Sequence, residues 1–285
     1  MTGLWLTLGA ITQRILMDRA NLTYGVEGEF LNLNNRGKIQ NLTNIVLAPE
    51  DEVGVDGHNE TIELRTQPSS SVLDQLSRVE IAIHKYHAAL QESRRPHLLQ
   101  GTPIRGGAYY GTPLSIHLHF GNFDSSLVYP MVLLLQHTLD TGFIAHIDNP
   151  VERGARQSLG YGLPDLASCI RVKGNRWWEW RQPSSVITPA CMKVLLGTSE
   201  VLAQYLHQAP KKEVGDLRKR LKGAKPLTFS AFLEAYDITD TDTEVSPFEI
   251  QSLMEGVLQL SPFDWKQNLL PQWIEGDNKS GPDNT

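Results

Sequence analysis

Side chains alternate between the two faces of a β-strand, so residues two apart share a face. Four strand-like runs in this sequence place chemically active residues two apart, mostly with apolar residues at the alternate positions. In Tyr24-Gly-Val-Glu-Gly-Glu-Phe-Leu31, Glu27 and Glu29 share a face. Val26 and Phe30 take the other face, and Gly28 leaves the backbone approachable. In Glu60-Thr-Ile-Glu-Leu-Arg-Thr66, Glu63 and Arg65 stand opposite Ile62 and Leu64. Ser115-Ile-His-Leu-His-Phe120 sets His117 and His119 against Ile116, Leu118 and Phe120. Arg176-Trp-Trp-Glu-Trp-Arg181 sets Glu179 and Arg181 against Trp178 and Trp180, with Trp177 on the charged side. Any one run reads as a half-exposed strand with a wet face. The paired histidines suit either a satisfied core or a contact to metal or phosphate. Taken together the runs read differently. A wet face favours Lys, Thr, Ser and Gln, whereas these runs contain no lysine and supply Glu, His and Arg.

If Glu27, Glu29, Glu63 and Glu179 converge on one sheet face, their charges must be neutralised. Otherwise their pKa values rise, because an unpaired buried ion costs several kcal/mol. A hard divalent cation solves this. Magnesium, or manganese, takes carboxylate oxygens and shares its shell with substrate phosphates. Zinc fits less well, since the two cysteines, Cys169 and Cys191, are not clustered with these residues. Arg65 and Arg181 suit the bidentate grip of a carboxylate or phosphate. Carboxylate-bound metal beside arginine is the equipment of phosphoryl transfer.

Helical spacing of Val72, Leu73, Leu76, Val79, Ile83 and Tyr86 predicts a helix over Ser71–Glu92, after a run of serines able to cap it. Leu127–Phe143 reads as a buried helix, and Thr188–His207 and Pro247–Leu260 as further helices. Helices set between runs of strands predict an α+β fold with an antiparallel sheet. Lys211, Lys212, Arg218, Lys219, Arg220, Lys222 and Lys225 read as a solvated helix face, with an acidic or phosphate-rich partner as the sharper alternative. A net charge of −6 argues against a nucleic-acid partner. Two cysteines make no disulfide framework and point to a reducing compartment. The apolar stretch Leu4–Met17, interrupted by Gln13 and Arg14, falls short of the ~20 residues of a spanning helix. No membrane contact and a cytoplasmic location are therefore expected. There is no phosphate-loop, nucleophile-elbow or His-Glu-x-x-His motif, which leaves serine hydrolases and zinc proteases without support.

In their order, these motifs resemble the glutamine-synthetase-like carboxylate–amine ligases, which include glutamate–cysteine ligase, and most of all the phage-type COOH–NH2 ligase (amidoligase) branch. Gly25-Val-Glu-Gly-Glu-Phe30 looks like the family's first metal-binding strand. Gly54-Val-Asp-Gly-His-Asn-Glu-Thr-Ile-Glu-Leu-Arg65 is similar to the branch's Gly-x-Asp-Gly strand pair, although Thr66 and Gln67 separate Arg65 from Pro68. Ile116-His-Leu-His-Phe-Gly121 looks like the His-x-His-x-Gly strand. Arg176-Trp-Trp-Glu-Trp-Arg-Gln-Pro183 resembles the Arg-x-Glu-x-Arg-x-Pro strand, with one extra residue before Glu179. The Arg156–Arg171 stretch, containing Gly160-Tyr161-Gly162, is similar to the branch's Arg-rich loop. The resemblance covers Asn21 to Ser185.

The resemblance implies a curved antiparallel sheet whose concave face holds ATP, magnesium and substrates, with helices on the convex face. It implies Glu27, Glu63 and Glu179 as metal ligands, Glu29 as a ligand or substrate contact, and His117 holding metal near the terminal phosphates. His119 would contact nucleotide, Arg171 and Arg156 phosphate, and Arg181 the transferring group or a carboxylate. Asp56 would orient the amine, and Asp56 or Glu60 would accept its proton. The activity implied is amide bond formation through an acyl phosphate, from small-molecule or peptide carboxylates and amines. The location would be the host cytoplasm for a phage-encoded chain. A guanidino-type phosphotransferase and a non-catalytic nucleotide-binding or structural protein are the alternatives. The expected organisation is an N-terminal segment over 1–20, a catalytic unit over 21–210, a helical continuation over 211–274 and a frayed tail over 275–285. An oligomer is compatible with all of this. The glycine-containing segments Gly101–Gly111 and Arg153–Gly162 read equally as lids over the site or as plain turns.

Overall fold

One long strand organises the sheet. β1 (Thr23–Leu33) pairs antiparallel with β3 (Thr61–Arg65) on one side and β5 (Ile116–Gly121) on the other. Around it the order is β2-β3-β1-β5-β7-β6, with β2 at Val53–Val55, β6 at Ile170–Val172 and β7 at Trp177–Trp180. A short β4 (Leu98–Gln100) pairs with the far end of β1 at Leu31–Leu33. Among the described residues every pairing is antiparallel and the sheet is open. The computed structural model describes residues 22–33, 52–55, 61–92, 98–100, 115–147, 169–174, 177–181, 183, 188–221, 227–238, 242–261 and 269–274. The N-terminal stretch, the tail, and the segments expected to act as lids or turns lie outside those residues.

The apolar parity of the strands forms one wall of the core. Val26, Phe30, Ile62, Leu64, Ile116, Leu118, Phe120, Trp178 and Trp180 are all buried. Phe120 and Trp178 stack with ring centroids 4.3 Å apart, an arrangement that adds ~0.5–1.5 kcal/mol beyond area burial. Gly28 lies on this wall. A Cβ there would come within 2.8 Å of Ile116 Cδ1, so its missing side chain makes room for packing rather than for a ligand.

Helices cover that wall. α1 (Val72–Glu92) turns Val72, Val79, Ala82, Ile83 and Tyr86 inward, as the helical spacing predicts. Ser71 caps it by accepting from Asp74 N, and Glu244, distant in sequence, accepts from Ser71 Oγ at 2.8 Å and Leu73 N at 3.0 Å. A carboxylate is well placed there, because a helix N-terminus carries partial positive charge. The next helix, α2 (Ser125–Ile147), extends the expected Leu127–Phe143 at both ends. Asp124 caps its start, and it passes into a π-helical stretch over Gln136–Ile144 that periodicity did not foretell. By length and composition alone α2 could cross a membrane, but 59% of its most apolar window is buried inside the protein.

α3 (Pro189–Gln208) starts at its N-cap Thr188, which accepts from Cys191 N at 3.1 Å. It packs against α1, α2 and α6 (Pro247–Leu258), which ends two residues before the expected Leu260. Between them come α4 (Lys211–Leu221) and α5 (Phe229–Ala235), and α7 (Leu270–Ile274) closes against α1. Leu217, Phe232, Ile250 and Trp273 of these C-terminal helices belong to the same continuous core as the strands. On α4, Lys219 is solvent-exposed, while Arg220 lies 4.8 Å over the Tyr236 ring. Both cysteines are buried, and neither forms a disulfide.

Candidate active site

The register of the sheet decides which polar residues meet. Cross-strand partners on an antiparallel ladder share a face. Glu27 stands opposite Arg65 on β3 and opposite His117 on β5. His119 stands opposite Gly25 on one side and Glu179 on the other, and Glu179 in turn faces Arg171 of β6. Glu29 faces Glu63, which faces Gly54 on β2. The charged parity of every strand therefore lies on the sheet face opposite the aromatic core.

Within that face Glu27, His117, His119 and Glu179 each offer a ligand atom, and these atoms lie within 4.8 Å of one another. His119 Nε2 is 2.9 Å from Glu27 Oε2 and 3.7 Å from Glu179 Oε2. His117 presents Nδ1 to Glu27 Oε2 at 3.5 Å. Its other ring nitrogen, Nε2, lies 2.6 Å from the Ser115 hydroxyl, which orients the ring. Burial works to raise the Glu27 carboxyl, but its side-chain interactions with His117, His119 and Glu63 outweigh it and hold the group well below the usual carboxylate range. Burial lowers the His117 imidazole, against the pull of the Glu27 carboxylate. An anionic carboxylate beside a neutral imidazole is the protonation state a cation requires.

Glu179 is fully buried. Arg171 Nε at 3.0 Å and Arg181 Nε at 3.3 Å hold its Oε1, and Lys173 Nζ at 2.7 Å holds its Oε2. A buried carboxylate needs such company, because desolvation costs several kcal/mol per ion. The residues present fit a divalent cation on two further counts. The buried His117 Nδ1 makes no hydrogen bond, and neither Glu179 oxygen receives an aligned one despite the cations around it. Two carboxylates and two imidazoles make a mixed oxygen and nitrogen donor set.

The other expected residues lie nearby but outside that cluster. Glu63 pairs with Arg65 Nε at 3.1 Å, and Glu29 accepts from Ser115 Oγ at 3.4 Å. Arg65 is half exposed, and its guanidinium lies over Gly54, where any Cβ would overlap it. Arg171 sits on β6, paired to β7, rather than in a loop. His119, expected beside nucleotide, stands in the four-residue cluster itself. Asp56, Glu60 and Arg156 lie outside the described residues. Beside the cluster a cleft of about 390 Å³ is lined by Gly25, Glu27, Glu63, Arg65, His119 and Lys173, with Trp177 at its wall. The Trp177 ring meets His119 edge-on at 6.0 Å, consistent with its parity.

Two residues of the site escaped sequence reasoning. Lys173 lies two positions beyond Arg171, and the same parity argument, applied to the short run Ile170–Val172, would have found it. Ser115 precedes β5 on the parity of His117 and His119, where a serine reads as an ordinary wet-face residue.

No protein-family model matches the chain, and no curated protein sequence does. Solved structures do. A chain of the complex between the prokaryotic ubiquitin-like protein Pup and its ligase PafA aligns over 92% of this chain and 66% of its own length, at 11% identity and a TM-score of 0.51. A glutamine synthase homolog aligns over 94% of this chain and 74% of its own, at 12% identity and 0.47. A bifunctional glutathione synthetase from Pasteurella multocida aligns over 93% and 50%, at 12% identity and 0.45. The chain thus spans half of the glutathione synthetase and about two thirds of the chain in the Pup–PafA complex. At this identity the likeness is one of architecture, and the overlay at 0.51 shows that this chain shares its fold with a chain of the Pup–PafA complex.

Proposed function

We propose that this chain is an ATP- and magnesium- or manganese-dependent carboxylate–amine ligase of the glutamine-synthetase-like kind, in its amidoligase branch. The observation that carries the reading is the convergence of Glu27, His117, His119 and Glu179, from three strands, within 4.8 Å on one sheet face. A row of guanidinium and ammonium groups borders it. The fold shared with a chain of a ligase complex is consistent with it.

In this reading Glu27, Glu179, His117 and His119 hold a divalent cation, with Glu63 and Glu29 as further acidic positions on the same face. The carboxylates suit magnesium or manganese, and the imidazoles move the balance toward manganese. When bound, the ion supplies charge neutralisation at the transferring phosphoryl group. Arg171 and Arg181 grip phosphate oxygens, and Arg65 at the cleft mouth grips a substrate carboxylate. The carboxylate substrate attacks the terminal phosphate of ATP, forming an acyl phosphate and releasing ADP. An amine then displaces phosphate and leaves an amide. Asp56 or Glu60 takes the proton from the attacking ammonium. Arg156 is a further phosphate contact, 21–210 is the catalytic unit, and 211–274 is its helical continuation.

The test is phosphate release from ATP with magnesium or manganese across a panel of amino acids, peptides and amines, followed by product mass. An amine-dependent signal with a product heavier by the amine less water supports the ligase. A stable phosphorylated product without amide would make the chain a phosphotransferase, and no amine-dependent phosphate release across the panel would count against the ligase.

A further inference from the structure

Lys173 occupies a place that the ligase reading does not use. It binds Oε2 of Glu179, the oxygen that also faces His119 and through it Glu27, whereas Arg171 and Arg181 hold Oε1. The ammonium group therefore occupies the Glu179 oxygen nearest His119. The backbone of Lys173 is tied to β7 by its N–H donating to Trp177 O at 2.8 Å, but its side chain is 41% exposed. It also lines the cleft of about 390 Å³ shared with Arg65 and Trp177, so the ammonium has room to turn without disturbing the sheet. A lysine suits this use, being a compact charge on a flexible stem.

The charge balance of the face points the same way. Among the described residues, the four carboxylates Glu27, Glu29, Glu63 and Glu179 share the face with four basic groups, Arg65, Arg171, Lys173 and Arg181. A divalent cation that takes Oε2 of Glu179 displaces the ammonium held there and adds positive charge to the face. An incoming polyphosphate offsets that charge and gives the displaced ammonium a partner.

We propose that Lys173 is a resident counter-ion that guards the metal site, yielding Glu179 to a divalent ion and then turning to the phosphates, so that metal and nucleotide bind cooperatively. The nucleotide half of this rests on the ligase reading, while the metal half rests only on the cluster. Because coupling between two ligands is reciprocal, the effect can be read from the metal alone.

The experiment measures Mn2+ binding by the loss of its free-ion electron paramagnetic resonance signal, with and without a non-hydrolysable ATP analogue and after subtracting the Mn2+ that the analogue binds without protein, in the full chain and in Lys173→Met. In the wild type the analogue should tighten Mn2+ binding about five-fold or more. Lys173→Met should bind Mn2+ alone about five-fold more tightly than wild type and lose most of the coupling. Lys173→Arg, which keeps the charge, should restore weak binding of Mn2+ alone. Unchanged or weaker Mn2+ binding in Lys173→Met, with wild type still binding, overturns the guard role and leaves the ligase reading standing. A wild type that binds no Mn2+ in either condition overturns both.

Discussion

The two faces of one sheet are built from alternate residues of the same strands, and they do opposite work. On one face Phe30, Ile62, Leu118, Phe120, Trp178 and Trp180 disappear into a core shared with α1 and α3. On the other, one residue away along each strand, Glu27, His117, His119 and Glu179 gather in a shell of cations. The core face carries stability through area and packing, which are indifferent to charge. The polar face holds buried ions whose mutual attraction roughly offsets their desolvation, so it contributes little to folding. A neighbour in sequence is thus a stranger in function, and substitutions at adjacent positions should separate cleanly.

The largest effect expected is on the core face. Trp178→Ala removes a stacked, fully buried ring and should cost ~3–5 kcal/mol in urea unfolding. Its neighbour Glu179→Gln should do the reverse. Turnover in the phosphate-release assay should fall by about 10²–10³-fold. Stability should change less than in Trp178→Ala, because Arg171 and Lys173, 46% and 41% exposed, can turn to water. A shift in the unfolding midpoint as large as that of Trp178→Ala would break the comparison. Ser115→Ala removes the hydroxyl that orients His117 and should weaken Mn2+ binding by about 10–100-fold, measured by titration, with little change in unfolding.

The smallest effect is on acid stability without metal. His117 and Glu27 both have folded pKa values below their ordinary ones, so the unfolded chain binds more protons than the folded chain. The stability they contribute is present above pH 6.5 and declines as pH falls, first through His117 and then, below 4.5, through Glu27. Urea midpoints in chelator should therefore drop from pH 7.5 to pH 5.5. Saturating Mn2+ should hold the midpoint up at pH 7.5 and lose that advantage toward pH 5.5, because the ion needs the imidazoles neutral. A midpoint that rises on acidification would contradict the buried, neutral state of His117.

Parity was legible because it is local. A period of two needs only neighbouring residues, and it sorted Glu27, Glu63, His117, Glu179 and Trp177 from Phe30, Leu118, Trp178 and Trp180 before any pairing was known. Helices α1, α2, α3 and α6 were legible because helical spacing is local too, although Thr188, read as the first residue of α3, is its N-cap. Gly28 was harder. Its place on the apolar parity was visible, yet its neighbours Ile116 and Phe30 meet there only through the pairing of β1 with β5 and the turn of a ring. The π-helical stretch of α2 also left no trace in the spacing of apolar residues, since Leu139, Phe143 and Ile144 are too few to fix a period there.

What the chain determined unaided is therefore which face each residue takes, because alternation along a strand follows from backbone geometry alone. Which residues meet across that face was decided only by register, since pairing offsets depend on how distant strands pack. Those offsets set His119 against Glu179 and Glu27 against His117, and they left Glu29 and Glu63 to one side. They also brought Lys173, just past the short strand β6, onto Oε2 of Glu179.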